Sequence, residues 1–372
     1  MGCGAEAEGD PELTVYLSAP ISGPGADDGR DIADAAELAL ADAAGSAAGI
    51  AVRLEVLDDA DRDGWDAALA GANARAAAQD STAIAYLGEL ESGATRTSLP
   101  ITNEAGLLQV SAGSGAEDLT AAAIGSEQVQ ALTQPSGART FGRLIPSDVR
   151  QGEAAGEWMG DEGLASVELV DSDDEFSESL VSGFESSASG SSTATAGPAR
   201  GAEAAYYALA DLVPAQGGVI PGGKDPIYGS DALLDPDDLT SFRILTEACS
   251  RPICPVGPRE IRLTSAALDP AQLPPAAADF LAAFEQAYDR APGRYAAYGY
   301  EAMALVLDSI ERSEDPLDRS SVVDAFFATT DRESILGTYS IDDVGDTTLA
   351  QLGAYEVIRG RARPEPEPLE LP

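Results

Sequence analysis

The stretch from Ile84 to Leu119, IAYLGELESGATRTSLPITNEAGLLQVSAGSGAEDL, constrains this chain more than any other. Two short apolar runs, Ile84 to Leu87 and Leu107 to Val110, each stop at small residues. The first stops at Gly88 and a turn holding Glu91, Ser92 and Gly93; the second at Ser111, Gly113, Ser114 and Gly115. A helix-like segment lies between them. Strand, loop, helix, strand, loop is the grammar of an open parallel sheet, in which ligands bind at the carboxyl ends of the strands. Small residues there leave backbone N–H groups uncovered, so the stretch reads as the floor of a small-molecule site.

Length and charge narrow the classes. A chain of 372 residues exceeds what one core usually holds, about 250–300, and suits two domains. Its 44% hydrophobic content is ample for burial. Lys and Arg number 22 against 64 Asp and Glu, a net charge of -42, and no basic patch interrupts it; Lys224 is the only lysine. Nucleic acid and anionic membrane surfaces are therefore excluded as partners, and the charge reads as solubility or adaptation to salty surroundings. The absence of histidine removes the usual general base and the commonest metal ligand, and three cysteines do not complete a tetrahedral zinc site. No G-x-S-x-G elbow and no P-loop are present, so a serine triad is not assembled, although a carboxylate-only mechanism stays open. We expect no catalytic residues, no metal and no cofactor.

Taken in order, strands are expected at Leu13–Leu17 and Val52–Leu57, with helices over Asp31–Ala44 and Trp65–Ala78. The acidic run Asp58, Asp59, Asp61 and Asp63 reads as a solvated turn capping the second helix, because it lacks the glycine and glutamate of a calcium loop. After Asp148 the alternation restarts: helix to Met159, strand Ala165–Val170, helix Ser177–Ser187, strand Ala202–Tyr207, then strands at Pro226–Tyr228, Phe242–Glu247 and Arg259–Leu263. Helices Ala276–Arg290 and Ala297–Arg312 follow. The second places Tyr300, Met303, Ala304 and Leu307 on one buried face. Short strands end the chain before RARPEPEPLELP, a tail too rich in proline for a regular element.

The cysteines bear on compartment. Cys249 and Cys254, in CSRPIC, are close enough for a small looped disulfide, with free thiols as the alternative. Cys3 precedes a polar acidic tether and looks like the mature start of a bacterial lipoprotein, the alternative being an ordinary N-terminal cysteine. That start implies an extracytoplasmic protein held at the membrane by a lipid on Cys3 alone.

With SGPGADDGRDIADAAELALADA, LDDADRD, GELESGATRTSLPITNEAGLLQVSAGSGAEDLT, RLIPSDVRQGEAAGEWM and YAAYGYEAMALVLDSIER in this order and spacing, the chain resembles the substrate-binding proteins of branched-chain amino-acid ABC transporters. The resemblance implies an α/β chain of two Rossmann-like lobes with parallel sheets joined by a multi-crossing hinge, the type I periplasmic-binding fold. A tether would span 1–11, one lobe 12–133 and 266–333, the other 134–265 and 334–362, and a proline-rich tail 363–372. It implies a ligand carboxylate held by Ser92 and Gly93 and by Gly113, Ser114 and Gly115, aromatic closure by Phe176 and Tyr207, and Asp231 for the ammonium. Three positions depart from the family pattern: Gly115 replaces a threonine, Asp28 an aromatic residue and Phe176 a tyrosine. The implied partners are an amino acid or similar small polar molecule and an ABC-transporter permease, with the protein a monomer. A ligand-sensing receptor of the same fold without a transport role is the alternative.

Overall fold

Apolar runs in both halves of the chain become parallel strands. The computed structural model describes residues 11–120, 131, 133–164, 166–171, 174–187, 195–196, 203–208, 226–234, 261–358 and 361–371. Cys3, Lys224, Cys249, Cys254 and the strand expected at Phe242–Glu247 lie outside these residues. The chain divides into two units, each described on its own below. The first takes the chain up to Ser114, then Leu119–Leu144 and Ala277–Thr347; the second takes Gly115–Asp118, Ile145–Ala276 and Thr348–Pro372.

In the first unit, strands β1 (Glu12–Ala19), β2 (Ile50–Asp58), β3 (Ala83–Leu87), β4 (Leu108–Ser111) and β5 (Phe141–Arg143) run parallel in the order β2-β1-β3-β4-β5. Ser46–Ala47 adds a short antiparallel edge beside β2. Every residue of β3 and β4 is buried. Both faces of these strands are covered, which is why they read as continuous apolar runs without alternation. Helices α1 (Ala26–Asp42), α2 (Ala67–Gln79) and α3 (Ser92–Glu104) carry the chain from strand to strand.

Alanine and glycine let these helices sit close to their neighbours. Ala35, Ala36 and Ala39 of α1 are buried, and a Cβ on Gly299, in the helix Ala296–Arg312, would fall 2.6 Å from Ile32 Cα. That helix buries Met303 and Leu307 as expected but is covered around most of its circumference, with Tyr300 and Ala304 only half-buried. The cap of α2 is Asp66, whose carboxylate accepts from the amides of Ala68 and Leu69 at 2.9 and 3.0 Å. This corrects the reading of the acidic run: the cap lies beyond it, and Asp59, expected in water, is fully buried.

The second unit repeats the winding. β6 (Val167–Asp171), β7 (Ala204–Ala208), β8 (Ile227–Gly229) and β9 (Ile261–Ser265) are parallel, with Thr195–Ala196 on the outer side of β6. Counted along the chain, these strands again stand in the order second, first, third, fourth, fifth. Helices Asp148–Asp161 and Glu175–Ser187 pack together over a core that includes Leu169, Leu180, Phe184 and Tyr206. β10 (Gln351–Ile358) joins β9 antiparallel. The tail does form regular structure: Arg361–Pro364 and Leu369–Glu370 both pair antiparallel with β10. Proline is tolerated there because it ends one short edge strand and falls between the two, where no ladder needs its N–H.

Candidate functional site

A sheet wound β2-β1-β3-β4-β5 reverses its order between β1 and β3, and the crevice beyond the carboxyl ends at that point is where ligands bind in such sheets. The loop after β3 leaves from this point. It runs through Gly88, Glu89 and Leu90 to Glu91, which is extended (φ -89, ψ 134) and makes no side-chain cap to α3. Ser92 and Gly93 are the first two residues of the helix. A helix start has amides without helical partners and a partial positive charge, so this end of α3 suits an anion.

Trp65 lies over the same helix end. It ends the small hairpin Ala60–Asp61 with Gly64–Trp65, is 40% exposed, and its ring sits where a Cβ on Gly93 would approach to 2.5 Å. A side chain at position 93 would have to displace this indole. An apolar face and an anion-attracting helix start stand side by side. In the sequence Trp65 read only as a helix-start residue; the available signal was a tryptophan, one of two, set in an acidic turn.

The loop after β4 braces the first loop. Ser111 Oγ donates to Glu89 O at 2.7 Å and accepts from the amides of Gly113 at 3.1 Å and Ser114 at 2.9 Å. Ser114 Oγ lies 2.7 Å from Thr95 Oγ1 and donates to Glu89 O at 3.1 Å. A Cβ on Gly113 would meet Leu90 Cδ1 at 2.3 Å. The amides of Gly113 and Ser114 are therefore turned onto Ser111, whereas the sequence led us to expect them uncovered. Gly115 belongs to the second unit, where its carbonyl accepts from the Asp148 amide at 2.9 Å.

Arg143, fully buried at the end of β5, holds the second loop from below: it donates to Ser114 O at 3.3 Å, Thr120 Oγ1 at 2.8 Å and Asp346 Oδ1 at 2.6 Å. Glu89 is also fully buried. Its amide donates to Thr95 Oγ1 at 3.2 Å, its Oε1 accepts from Tyr86 OH at 2.6 Å, and its carboxyl meets that of Asp59. Burial first, and then the neighbouring Asp59, push the Glu89 carboxyl well above the usual range; burial likewise raises Asp59. Beside them a cavity of about 10 Å³, lined in part by Ser18, Gly88 and Leu90, holds one water at most.

In the second unit, Asp231 opens a single turn after β8 and is half-exposed. Its carboxylate accepts from Gln151 Nε2 at 3.0 Å and Ser265 Oγ at 3.4 Å. Gln151 had no signal in the sequence. Tyr207 is buried on β7 among Ile227, Leu233, Leu263 and Tyr355, which pushes its phenol upward in pKa. Phe176, half-buried, packs against the cluster of Met159, Leu180 and Phe184. Both aromatic side chains thus pack within their own unit.

Residues 12–219, more than half of the chain, match the family model described as periplasmic binding protein. No curated protein matches the chain by sequence. Solved structures of similar fold include an ABC-transporter substrate-binding protein from Desulfitobacterium hafniense in complex with Leu, at 20% identity and a TM-score of 0.73 over 95% of this chain and 100% of that one. The leucine-binding protein LivK from Thermotoga maritima aligns at 20% identity and 0.68, over 95% and 97%. A solute-binding protein from R. palustris in complex with benzoate aligns at 19% and 0.67, over 97% of both chains. With both sheets wound alike and the family model matched over residues 12–219, the chain belongs to the periplasmic binding protein family and has the type I fold of the substrate-binding proteins of branched-chain amino-acid ABC transporters.

Proposed function

We propose that this protein is an extracytoplasmic solute-binding protein that captures a small carboxylate-bearing molecule, an amino acid first among them, and delivers it to an ABC-transporter permease. The observation that carries the reading is the start of α3: Ser92 and Gly93 for a carboxylate, the exposed part of Trp65 for an apolar body, and a second loop that braces the first through the Glu89 carbonyl. Leucine and benzoate, the ligands of two proteins of similar fold, share this pairing of a carboxylate with an apolar body. A net charge of -42 repels a free monoanion more than a zwitterion, which favours the amino acid. Asp231 is assigned the ammonium group, and Cys3 the lipid that anchors a monomeric protein at the membrane.

A thermal-shift screen of the purified protein against amino acids, aromatic acids, polyamines and sugars tests the reading. Ligand at about a hundred times its Kd raises stability by about 2.7 kcal/mol, a readily measured shift. Stabilisation by amino acids, recovered chemically unchanged, is the expected result. Hits confined to polyamines or sugars, or a hit converted on incubation, would contradict it.

A further inference from the structure

Asp59 stands directly after β2 and Glu89 two residues after β3, on different strands of the first unit, and their carboxyls come within hydrogen-bonding reach of each other. Both residues are fully buried. Neither oxygen of Asp59, nor Oε2 of Glu89, receives a well-aligned donor among the described residues. Two ionised carboxylates in contact, with a donor at Glu89 Oε1 alone, would repel each other in a medium that cannot screen them. The contact becomes a hydrogen bond when one proton lies between them, as in other carboxyl pairs that cannot both ionise. The surroundings are consistent with this. Tyr86 OH supplies Glu89 Oε1, and the Ser18 hydroxyl, whose oxygen accepts from Asn73, lies near the Glu89 carboxyl. Among the described residues, the titratable groups facing the pair are Tyr86 and Asp58; the charge on Asp58 further disfavours a second negative charge on Asp59.

Glu89 is also where the two loops of the candidate site are joined. Its amide reaches α3 through Thr95, and its carbonyl receives the hydroxyls of both Ser111 and Ser114. We propose that Asp59 and Glu89 share a single proton, and that through it Glu89 acts as the positioning residue of the binding loops. The effect on ligand affinity rests on the solute-binding reading; the shared proton and its hold on the loops do not. Loss of the proton at high pH forces two carboxylates apart, displaces Glu89 and loosens Ser111, Gly113 and Ser114 with it.

The test needs no ligand. An Asp59→Asn/Glu89→Gln double variant keeps the shape and replaces the shared proton with amide donors that do not titrate. At neutral pH the infrared difference spectrum, wild type minus double variant, should contain the carbonyl stretch of a protonated carboxyl, and that band should disappear on alkaline titration. In parallel, hydrogen-exchange protection of the Gly113 and Ser114 amides should fall in the wild type by about tenfold per pH unit beyond the pair's midpoint, as expected for one linked proton, and hold steady in the variant. Absence of the band overturns the shared proton. Protection with the same pH profile in both proteins overturns the positioning role. Should the double variant fail to fold, the alkaline loss of the band and of loop protection in the wild type must coincide, and a loop profile that ignores the band overturns the proposal.

Discussion

Asp59 and Glu89 hold their protons more tightly in the folded chain than carboxyls in water do, chiefly because burial penalises the charged form. Folding therefore takes up a proton between the ordinary carboxylate range, about 4, and the pair's higher midpoint. Their contribution is fully present below that range and is lost as pH rises through the folded midpoint. Urea unfolding as a function of pH should show stability falling across this window in the wild type and a shallower fall in Glu89→Gln; parallel profiles would contradict the assignment. Trp65 supports a second prediction at this scale. In a Trp158→Phe background it is the only tryptophan, and ligand at the start of α3 should change its fluorescence, while Trp65→Ala should weaken binding by at least about tenfold, the scale of losing a well-buried aromatic contact. Neither role was legible in the sequence. Asp59 sits in an acidic run that resembles a solvated turn, and only the register of β2 beside β1, with β3 on its other side, brings it to Glu89.

Elements were legible where burial repeats with a clear period or a run is wholly apolar. β1, β3 and β4 are such runs, and their loops are marked by glycine and serine, so the frame of the candidate site was readable from Ile84 to Leu119. The donors' directions were not, because the turning of the Gly113 and Ser114 amides depends on one hydroxyl, Ser111, whose partner Glu89 belongs to another loop. The helix Arg319–Phe327 escaped notice because it is short and begins from an Asp318 cap without a long periodic face. The strands at 361–364 and 369–370 were hidden by proline content that matters little at a sheet edge. Where α1 meets the helix Ala296–Arg312, the close approach at Gly299 makes a prediction. Gly299→Ala should destabilise the protein by about 1–3 kcal/mol, the scale of overpacking, because the new methyl meets the backbone of Ile32. Chemical unfolding measures it; a gain in stability, as helix propensity alone would give, would contradict this packing.

Over the whole molecule, a net charge of -42 places like charges near one another across much of the surface. Raising salt from about 0.1 M to about 1 M shortens the screening length from about 10 Å to about 3 Å, so the unfolding temperature should rise by several degrees. A fall over that range would mean that attractive ion pairs outweigh the repulsion. The repeated strand order in both units accounts for why the alternation could be read twice along one sequence, and why the family assignment and the sequence pattern agree. The central claim concerns what the start of α3 holds. Calorimetric titration of the best amino-acid hit, alongside the amine left when its carboxyl group is removed, tests this most directly. The account predicts saturable binding of the amino acid and none of the amine at the same concentration. Equal binding of the two, or no saturable heat from any amino acid, would contradict it.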